Sequence, residues 1–271
     1  MKNFRVSVMA GLLCASLFVA ARPSHAAFNL VWSDEFDAPL SGDKWNTYTG
    51  NYGSASNCYF MPSNAYTANG NLVLEVNTNP NNGGKQFTSG GLDTGWRWTQ
   101  TYGRWEVRAK FADGYGVSGY IGLFAQDGSW PPEVDFAEVL GREYWNCHFT
   151  QHYDADNKLD GFNIWNSDAG SNFNEWHTYA LEWTPGTLKY FVDGKLWGTQ
   201  PQRFTATPMK IALGTGTGDS GGWVGSPNDA QANGWPWPLG PGKAQMQVDY
   251  VRIYSYTDDS ASGDPSNLTA Q

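Results

Sequence analysis

The chain has 271 residues, a formal net charge of −9 and only 16% charged residues. It has no basic cluster, which argues against nucleic acid or an anionic membrane as a partner. Fourteen Trp, fourteen Tyr and fourteen Phe occur, and many of the Trp stand in Gly/Pro-rich stretches rather than in apolar runs. Some of these rings belong to a core, whereas exposed rings in a cleft are typical of proteins that stack on sugars.

The first 26 residues have the build of a secretory signal peptide. Lys2 and Arg5 precede an apolar run at 6–21, and small residues follow up to Ala26. The apolar run is short for a membrane span, so an anchor that stays in place is the weaker alternative. We expect cleavage after Ala26 and an exported protein that neither spans nor binds a membrane.

The remaining chain suits one large domain, because all-β sandwiches often reach this length. We place this domain at 27–256 and expect the low-complexity stretch 257–271 to be a flexible tail. Two cysteines remain after the leader, Cys58 and Cys147. In an oxidising compartment they form either one disulfide, which we expect, or two buried thiols.

Ten short runs of alternating apolar and polar residues, bounded by turn residues, predict β-strands. They lie at 29–36, 71–77, 102–111, 118–126, 132–139, 145–153, 176–183, 188–194, 209–215 and 246–254. Asp193-Gly194 predicts a hairpin turn. No segment has a helical stripe over three turns, and 32 Gly and 14 Pro are spread through the chain. The sequence therefore predicts an all-β jelly-roll sandwich of two antiparallel sheets with a concave cleft.

Residues 131–139, PPEVDFAEV, contain three acids within six positions. Side chains alternate along a strand, so Glu133 and Asp135 point to one face and Glu138 to the other. A β-bulge, one extra residue around positions 136–137, would return Glu138 to the face of the other two. Bulges favour sites next to active centres, where they redirect a side chain.

Three carboxylates in one cleft have a chemical use. A retaining glycosidase needs one carboxylate as nucleophile and a second carboxyl group as acid/base, about 5–5.5 Å apart. Two like charges at this distance move the two pKa values apart, so that one group stays protonated near neutral pH. Asp135, between the two glutamates, could hydrogen-bond the nucleophile. Solvated acids on an exposed strand, or calcium ligands, are the alternatives.

The segment WPPEVDFAEVLG resembles the E-x-D-x-x-E signature of family 16 glycoside hydrolases, the laminarinase-like β-glucanases. The resemblance extends to VWSDEFD (31–37), NGNLVLEV, YGRWEVRAK (102–110), WHTYALEWTPGTLKYFVDGKLWGT (176–199) and VDYVRIY (248–254). It implies that Glu133 is the nucleophile, that Asp135 assists and that Glu138 is the acid/base. It also implies a bulge in this strand.

The resemblance implies further substrate-binding residues. Glu106 and Arg108 fall in a strand whose Glu and Arg meet substrate in the family, although a cross-strand salt bridge is the alternative. Trp130 and Trp223 match aromatic residues that stack on sugar, with burial in the core as the alternative.

Two histidines and a pair of acids complete the candidate residues. His148 and His152 alternate along one strand, so they share a face, and they fall where family members place a cleft-lining strand. Metal binding by the two histidines is the weaker reading, because the acids lack zinc-site spacing. Glu35 and Asp249 fall where family members hold a structural calcium, unless both are salt-bridged.

The sequence also departs from the laminarinase pattern. GVSGYIGLF (116–124) replaces the usual W-P-A-F-W and resembles mixed-linkage glucanases (lichenases), which use an unbulged E-x-D-x-E motif. Gly214 stands where lichenases place a Trp. The linkage preference therefore stays open between β-1,3 and mixed β-1,3/1,4.

The sequence as a whole predicts a secreted, monomeric, retaining endo-β-glucanase. It needs no organic cofactor, and its partner is a β-glucan polysaccharide. A transglycosylase or galactan hydrolase of the same family, or a non-catalytic sugar-binding sandwich, are the alternatives.

Overall fold

A computed structural model of the chain describes residues 26–51, 57–154, 156, 158–234 and 244–258. Phe28–Thr257 forms one compact unit that carries both sheets. The expected signal peptide lies outside the described residues except for Ala26, which begins the first strand. Of the expected tail, Thr257 and Asp258 still belong to the last strand, and the rest lies outside the described residues.

The described residues form seventeen strands with short helical turns between them. The strands are β1 (Ala26–Asp34), β2 (Asn46–Thr47), β3 (Cys58–Phe60), β4 (Ala65–Ala68), β5 (Asn71–Asn82), β6 (Lys85–Ser89), β7 (Gly91–Asp93), β8 (Gly103–Lys110), β9 (Val117–Ala125), β10 (Glu133–Leu140), β11 (Asn146–His152), β12 (Leu159–Trp165), β13 (His177–Thr184), β14 (Thr187–Val192), β15 (Lys195–Pro201), β16 (Met209–Thr217) and β17 (Ala244–Asp258). One α-helical turn, α1, spans Asn166–Ala169, and 3₁₀ turns span Pro62–Asn64, Gly141–Glu143, Pro227–Asp229 and Gln231–Asn233. Within the described ranges, no helix has the length and apolar character that a membrane crossing requires.

The strands form two sheets. The ten-stranded sheet has the order β15-β14-β13-β8-β17-β5-β6-β3, with β1 paired to β17 and β4 to β5. The seven-stranded sheet has the order β12-β11-β10-β9-β16-β7-β2. All pairs of the seven-stranded sheet are antiparallel. In the ten-stranded sheet, β15 to β6 pair antiparallel along the order given, and β3 pairs with β6 in parallel. The predicted all-β sandwich of two sheets is therefore confirmed.

The core lies between the sheets because each strand turns its apolar positions inward. In β8, Trp105, Val107 and Ala109 are fully buried, while the residues between them are partly exposed. Facing them across the core, β10 buries Val134 and Phe136. Alternation of this kind is the pattern that two packed sheets require, since each sheet has one face toward the core.

The turn between β14 and β15 is the predicted hairpin. Asp193 and Gly194 have φ angles of 50° and 75°, the positive values that a two-residue type I′ turn needs. One Asp193 carboxylate oxygen accepts a hydrogen bond from the backbone N–H of Thr178 at 2.9 Å. The other lies 2.7 Å from Nδ1 of His177. The turn is thus tied to β13.

The predicted disulfide is wrong, because Cys58 and Cys147 are separate free thiols. Cys58, on β3, packs in a small satellite cluster and accepts a hydrogen bond from the Ser89 hydroxyl at 3.2 Å. Cys147, on β11, packs in the main core, where burial raises the pKa of its thiol. The two thiols thus pack among different groups of apolar side chains and are not bonded to each other.

We expect that both thiols are unreactive in the native protein and fully reactive on unfolding. Alkylation under native conditions should leave the peptides of Cys58 and Cys147 unlabelled, since both side chains are fully buried and out of reach of the reagent. Alkylation in denaturant without reductant should label both, as read by mass spectrometry of the peptides. A peptide pair linked through these two residues would contradict the structure.

Candidate active site

A β-bulge in β10 places three carboxylates on the solvent side of the seven-stranded sheet. Against β11, the register shifts between Asp135 and Glu138, and against β9 it shifts between Asp135 and Ala137. Phe136 and Ala137 are both fully buried. Two successive residues therefore point to the core, and Glu138 returns to the face of Glu133 and Asp135, as the spacing predicts.

The strand pairings extend each acid into a row of side chains across the sheet. Cross-strand partners on the same face are neighbours, so each row forms one strip of the surface. The first row contains His152, Glu133, Phe124 and Lys210. The second contains Thr150, Asp135, Gly122, Ala212, Asp93 and Asn46. The third contains His148, Glu138, Tyr120, Gly214 and Gly91.

The second and third rows contain glycines close to the acids, and this leaves room above the sheet. Gly122 is required next to Asp135, because a Cβ at this position would lie 2.7 Å from Asp135 Oδ1. Gly214 is required next to Tyr120, because a Cβ would lie 2.5 Å from the Tyr120 ring. The Tyr120 ring therefore occupies space that a larger side chain at position 214 would need. The Gly at position 214, where lichenases place a Trp, is therefore what makes room for the Tyr120 ring.

Glu133 is held by direct hydrogen bonds. The indole N–H of Trp130 donates to Glu133 Oε2 at 2.6 Å. Asp135 is only 3% exposed and shares a hydrogen bond with Glu133. The Trp130 ring also lies 5.7 Å from the His152 ring, centroid to centroid, and His152 Nε2 lies 3.8 Å from Asp135 Oδ2. The orientation of the Glu133 carboxylate is therefore fixed from two sides.

The three acids have raised pKa values, each mainly because burial disfavours the charged form. For Asp135, the charges of Glu133 and Glu138 raise the pKa further, well above its usual range. For Glu133, the hydrogen bond from Trp130 and the interaction with His152 partly offset the increase. For Glu138, burial and the charge of Glu133 raise the pKa to about 8. At neutral pH Glu138 thus holds a proton, and Asp135 donates its proton toward Glu133.

His148 and Trp223 form the surface beside Glu138. The two rings make an edge contact at 5.3 Å between centroids, and Trp223 is 52% exposed. Burial lowers the pKa of His148, so its imidazole is neutral at pH 7. Trp130, at the Glu133 side, is 48% exposed. The structure thus brings both predicted Trp and both predicted His to the acids, with one exposed indole beside each glutamate.

The structure does not bring Glu106 and Arg108 to the acids. Both lie on β8 of the ten-stranded sheet and face away from the core, on the opposite side of the sandwich. Glu106 accepts hydrogen bonds from Arg104 at 2.7 Å and from the Tyr250 hydroxyl at 3.1 Å. Their predicted substrate-binding role is therefore wrong for this cleft. The alternative of a cross-strand salt bridge holds for Arg108, which contacts Asp249 of β17 at 2.7 Å.

Glu35 and Asp249 do not form a joint calcium site in this structure. Both oxygens of Glu35 accept hydrogen bonds from Arg252, at 3.0 and 2.8 Å. Asp249 is held by Arg108 instead. A calcium site needs several oxygen ligands directed at one point. Here each carboxylate is directed at a different arginine instead. The residues present therefore do not fit the ion at this place.

Within the described residues, one group has the geometry to hold a metal ion. Ligand atoms of Glu133, Asp135 and His152 all lie within 4.8 Å of one another. His148 stands apart from this group, beside Glu138, so the two histidines do not act as a pair. An ion bound by the group would occupy the carboxylates that the acid chemistry requires.

A second group of polar residues lies on the same face and was not predicted from the sequence. Lys210 contacts Asp93 at 2.9 Å, and the Tyr48 hydroxyl donates to Asp93 at 3.1 Å. Tyr48 and Tyr120 are also hydrogen-bonded to each other. A lysine within the apolar run MKIAL (209–213) was the signal available in the sequence.

Comparisons with known proteins agree with this geometry. The family described as Glycosyl hydrolases family 16 matches residues 52–252. The beta-glucanase of Rhodothermus marinus is 30% identical over 288 aligned residues, covering 94% of each chain. A keratan-sulfate endo-1,4-beta-galactosidase of Sphingobacterium multivorum is 29% identical, over 84% of this chain and 55% of its own length. The X-ray structure of the laminarinase from Rhodothermus marinus superposes with a TM-score of 0.72 at 29% identity, covering 88% of this chain and all of that one.

We expect Glu138 to titrate near pH 8 and its pKa to fall when Glu133 loses its charge. The Glu133→Gln variant keeps the side-chain shape and removes the like charge that stabilises the protonated form of Glu138. The titration can be followed by ¹³C NMR of the glutamate carboxyl groups, with Glu138→Gln to assign the signal. Glu175→Gln, on an exposed turn, is the control. A Glu138 pKa near 4.5 in the unaltered protein would contradict the site's electrostatics.

Proposed function

This chain belongs to the glycosyl hydrolases of family 16, and we propose that it is a secreted, retaining endo-β-glucanase that hydrolyses β-1,3- or mixed β-1,3/1,4-glucan. The observation that carries the proposal is the bulge that gathers Glu133, Asp135 and Glu138 on one open face. A sugar-binding protein has no use for three carboxyl groups crowded at one buried place, because their burial and their mutual repulsion cost free energy.

Glu133 is the nucleophile in this proposal. Its carboxylate attacks the anomeric carbon, and the bond from that carbon to the glycosidic oxygen breaks. The Trp130 N–H and the Asp135 proton stabilise the charged carboxylate and hold it in one orientation. Fixed orientation matters because only a near-attack geometry gives the rate gain of an intramolecular reaction.

Glu138 is the general acid and then the general base. With a pKa of about 8, it is protonated at neutral pH and can give its proton to the leaving oxygen. Once Glu133 is bonded to the sugar, its negative charge is gone. The part of the increase in the Glu138 pKa that came from this charge then disappears. Glu138 has already given its proton to the leaving oxygen, and its lower pKa keeps it ionised. It is thus ready to remove a proton from the attacking water.

The surface around the acids supports a neutral polysaccharide as the substrate. Exposed Trp130 and Trp223 stand on the Glu133 and Glu138 sides, so rings of one chain can stack on both sides of the cleaved bond. This arrangement supports cleavage inside a chain. The protein's net charge of −9 favours a neutral glucan over a polyanion, and the beta-glucanase and laminarinase of Rhodothermus marinus support the same class. The charged start and short apolar run of residues 1–26 support export.

We expect reducing-sugar release from laminarin, lichenan or both, with short oligosaccharides as products. The panel should also include carboxymethyl-cellulose, agarose, κ-carrageenan and keratan sulfate, with products sized by chromatography. Activity on laminarin alone would assign β-1,3 specificity, and activity confined to lichenan would assign mixed linkage. Activity only on the galactans would contradict the glucanase proposal. Chain lengthening at high acceptor concentration would identify a transglycosylase, and binding without turnover a sugar-binding protein.

We expect Glu133→Ala to lose at least about 10³-fold in kcat, since a nucleophile acts as a unit with its partners. Azide should restore cleavage of an activated aryl glycoside by Glu133→Ala and yield the glycosyl azide of inverted configuration. Glu138→Ala with azide should yield the retained configuration, because Glu133 still forms the first bond. Glu175→Ala is the matched surface control. The opposite pattern of product configurations would exchange the two roles.

A further inference from the structure

A cavity of about 230 Å³ opens at the end of β8, among residues of the ten-stranded sheet and its loops. Most of its lining is polar. Lys110 comes from β8, and Gln245 and Gln247 come from β17. Asp113 and Asn174 come from the loops that follow β8 and precede β13. None of the three acids of the cleft lines this cavity.

The strand pattern places the cavity on the outer face of the ten-stranded sheet. Lys110 and Gln247 are paired neighbours on β8 and β17. Ala109 before Lys110 is fully buried, and so are Met246 and Val248 on either side of Gln247. Side chains alternate along a strand, so Lys110 and Gln247 face away from the core. The core between the two sheets therefore separates this cavity from the cleft, which lies on the seven-stranded sheet.

Lys110 and Asp113 bring opposite charges to the cavity without forming an ion pair. Within the part of the chain that the structure describes, the Lys110 ammonium has no hydrogen bond or ion pair. It lies 5.4 Å from the centroid of the Trp176 ring, a cation–π contact that holds it in place. Asp113 accepts a hydrogen bond from the Asn174 amide at 3.1 Å. The lining thus has no net charge, and the ammonium keeps its three donors.

The amides of the cavity supply acceptors opposite this donor. The Glu75 carboxylate accepts a hydrogen bond from the Gln245 amide at 3.3 Å, and Gln245 Oε1 accepts one from the Gln247 amide at 3.2 Å. These two bonds use the N–H groups of both glutamines. The side-chain oxygens of Gln247 and Asn174 accept no hydrogen bond from any residue that the structure describes. Each is an amide oxygen with room for a donor.

A neutral sugar is the ligand that matches this set of groups. Each sugar hydroxyl both donates and accepts, so it can accept from an ammonium and donate to an amide or carboxylate oxygen. The cavity is smaller than the roughly 300–1,000 Å³ of pockets for drug-sized ligands, which limits the ligand to about one sugar ring. The zero net charge of the lining offers nothing to a strongly charged group.

We propose that this cavity is a second carbohydrate-binding site, which holds one glucose unit of a neighbouring β-glucan chain while the cleft holds the chain that is cleaved. The proposal rests on the proposed glucanase function, because the ligand is a sugar of the same polysaccharide. Two separate contacts with one particle raise the effective concentration of substrate at the cleft. The site therefore serves insoluble polysaccharide and has no effect on short soluble oligosaccharides.

The test compares binding to insoluble particles with hydrolysis of short substrates. Lys110→Met keeps the length of the side chain and removes its donors. In a Glu133→Gln background, which prevents hydrolysis, we expect its affinity for particles of cross-linked laminarin or lichenan to fall about tenfold, as for a lost hydrogen bond to a charged donor. With Glu133 present, kcat/KM on laminaritetraose or a mixed-linkage tetrasaccharide should change less than twofold.

Lys189→Met is the matched control, because it removes the same charge from an exposed position of β14 in the same sheet. It should leave particle binding and tetrasaccharide hydrolysis unchanged. The melting temperature of each variant reports folding, and Lys110→Gln replaces Lys110→Met if the latter does not fold. Unchanged particle binding by a folded Lys110 variant would overturn the second site and leave the glucanase function standing.

A second measurement reads the cavity itself. Laminaritriose or cellotriose added to ¹⁵N-labelled Glu133→Gln protein should shift the side-chain amide signals of Gln247 and Asn174 to saturation, with Gln247→Ala to assign the first. A shift of the Trp130 indole signal alone would place the sugar in the cleft only and overturn the second site. Because these signals do not depend on turnover, they are separate from the test of the glucanase function, which fails if the unaltered protein hydrolyses no β-glucan.

Discussion

The extra residue in β10 is the constraint on which the site depends. Without it, a regular strand would turn Glu138 into the core, where an unpaired carboxylate costs several kcal/mol or stays neutral. With it, Phe136 and Ala137 both fill the core and Glu138 joins Glu133 on the open face. The neighbouring strands are adapted to this crowding, since Gly122 provides the space that Asp135 occupies. The bulge therefore allows β10 to carry three acids on its open face while its apolar side chains still fill the core.

The two sheets treat their acids in opposite ways. On the ten-stranded sheet, Glu35, Glu106 and Asp249 each contact an arginine, in pairs that are partly exposed and contribute at most about 1 kcal/mol each. In the cleft, the contacts of Glu133 and Asp135 are with each other, an indole and an imidazole. An arginine in the cleft would lower the pKa values that acid/base chemistry needs. The acids proposed for catalysis are thus distinguished from the other three by having no arginine contact.

Local sequence patterns predicted what depends on local geometry, and failed where the fold joins distant segments. Alternation located ten of the described strands and showed that the acid spacing requires a bulge. The predicted runs did not include β12 or β15, which have seven residues each, and β2, β3 and β7 have only two or three residues and carry no period. Alternation also showed that Glu106 and Arg108 share a face, yet it contains no information on which sheet holds that face. Lys210 and Asp93 are separated by more than a hundred residues and meet only because β7 pairs with β16. The disulfide prediction was wrong for the same reason, because the spacing of two cysteines in the sequence does not show which part of the core each one packs in.

The electrostatics that serve catalysis also oppose folding, and the sign of the effect follows from the Glu138 pKa. The pKa is about 8 in the folded protein against an ordinary 4.5, so between these values the native state keeps a proton that the unfolded chain releases. The free energy of unfolding that depends on Glu138 is therefore highest at low pH and decreases as pH rises through this window. Glu133 and Asp135 are shifted in the same direction by the same burial. Relieving the shift with a nearby cation would stabilise the fold and deprotonate the acid. The site thus retains its proton donor at neutral pH only because the core between the two sheets tolerates that loss of stability.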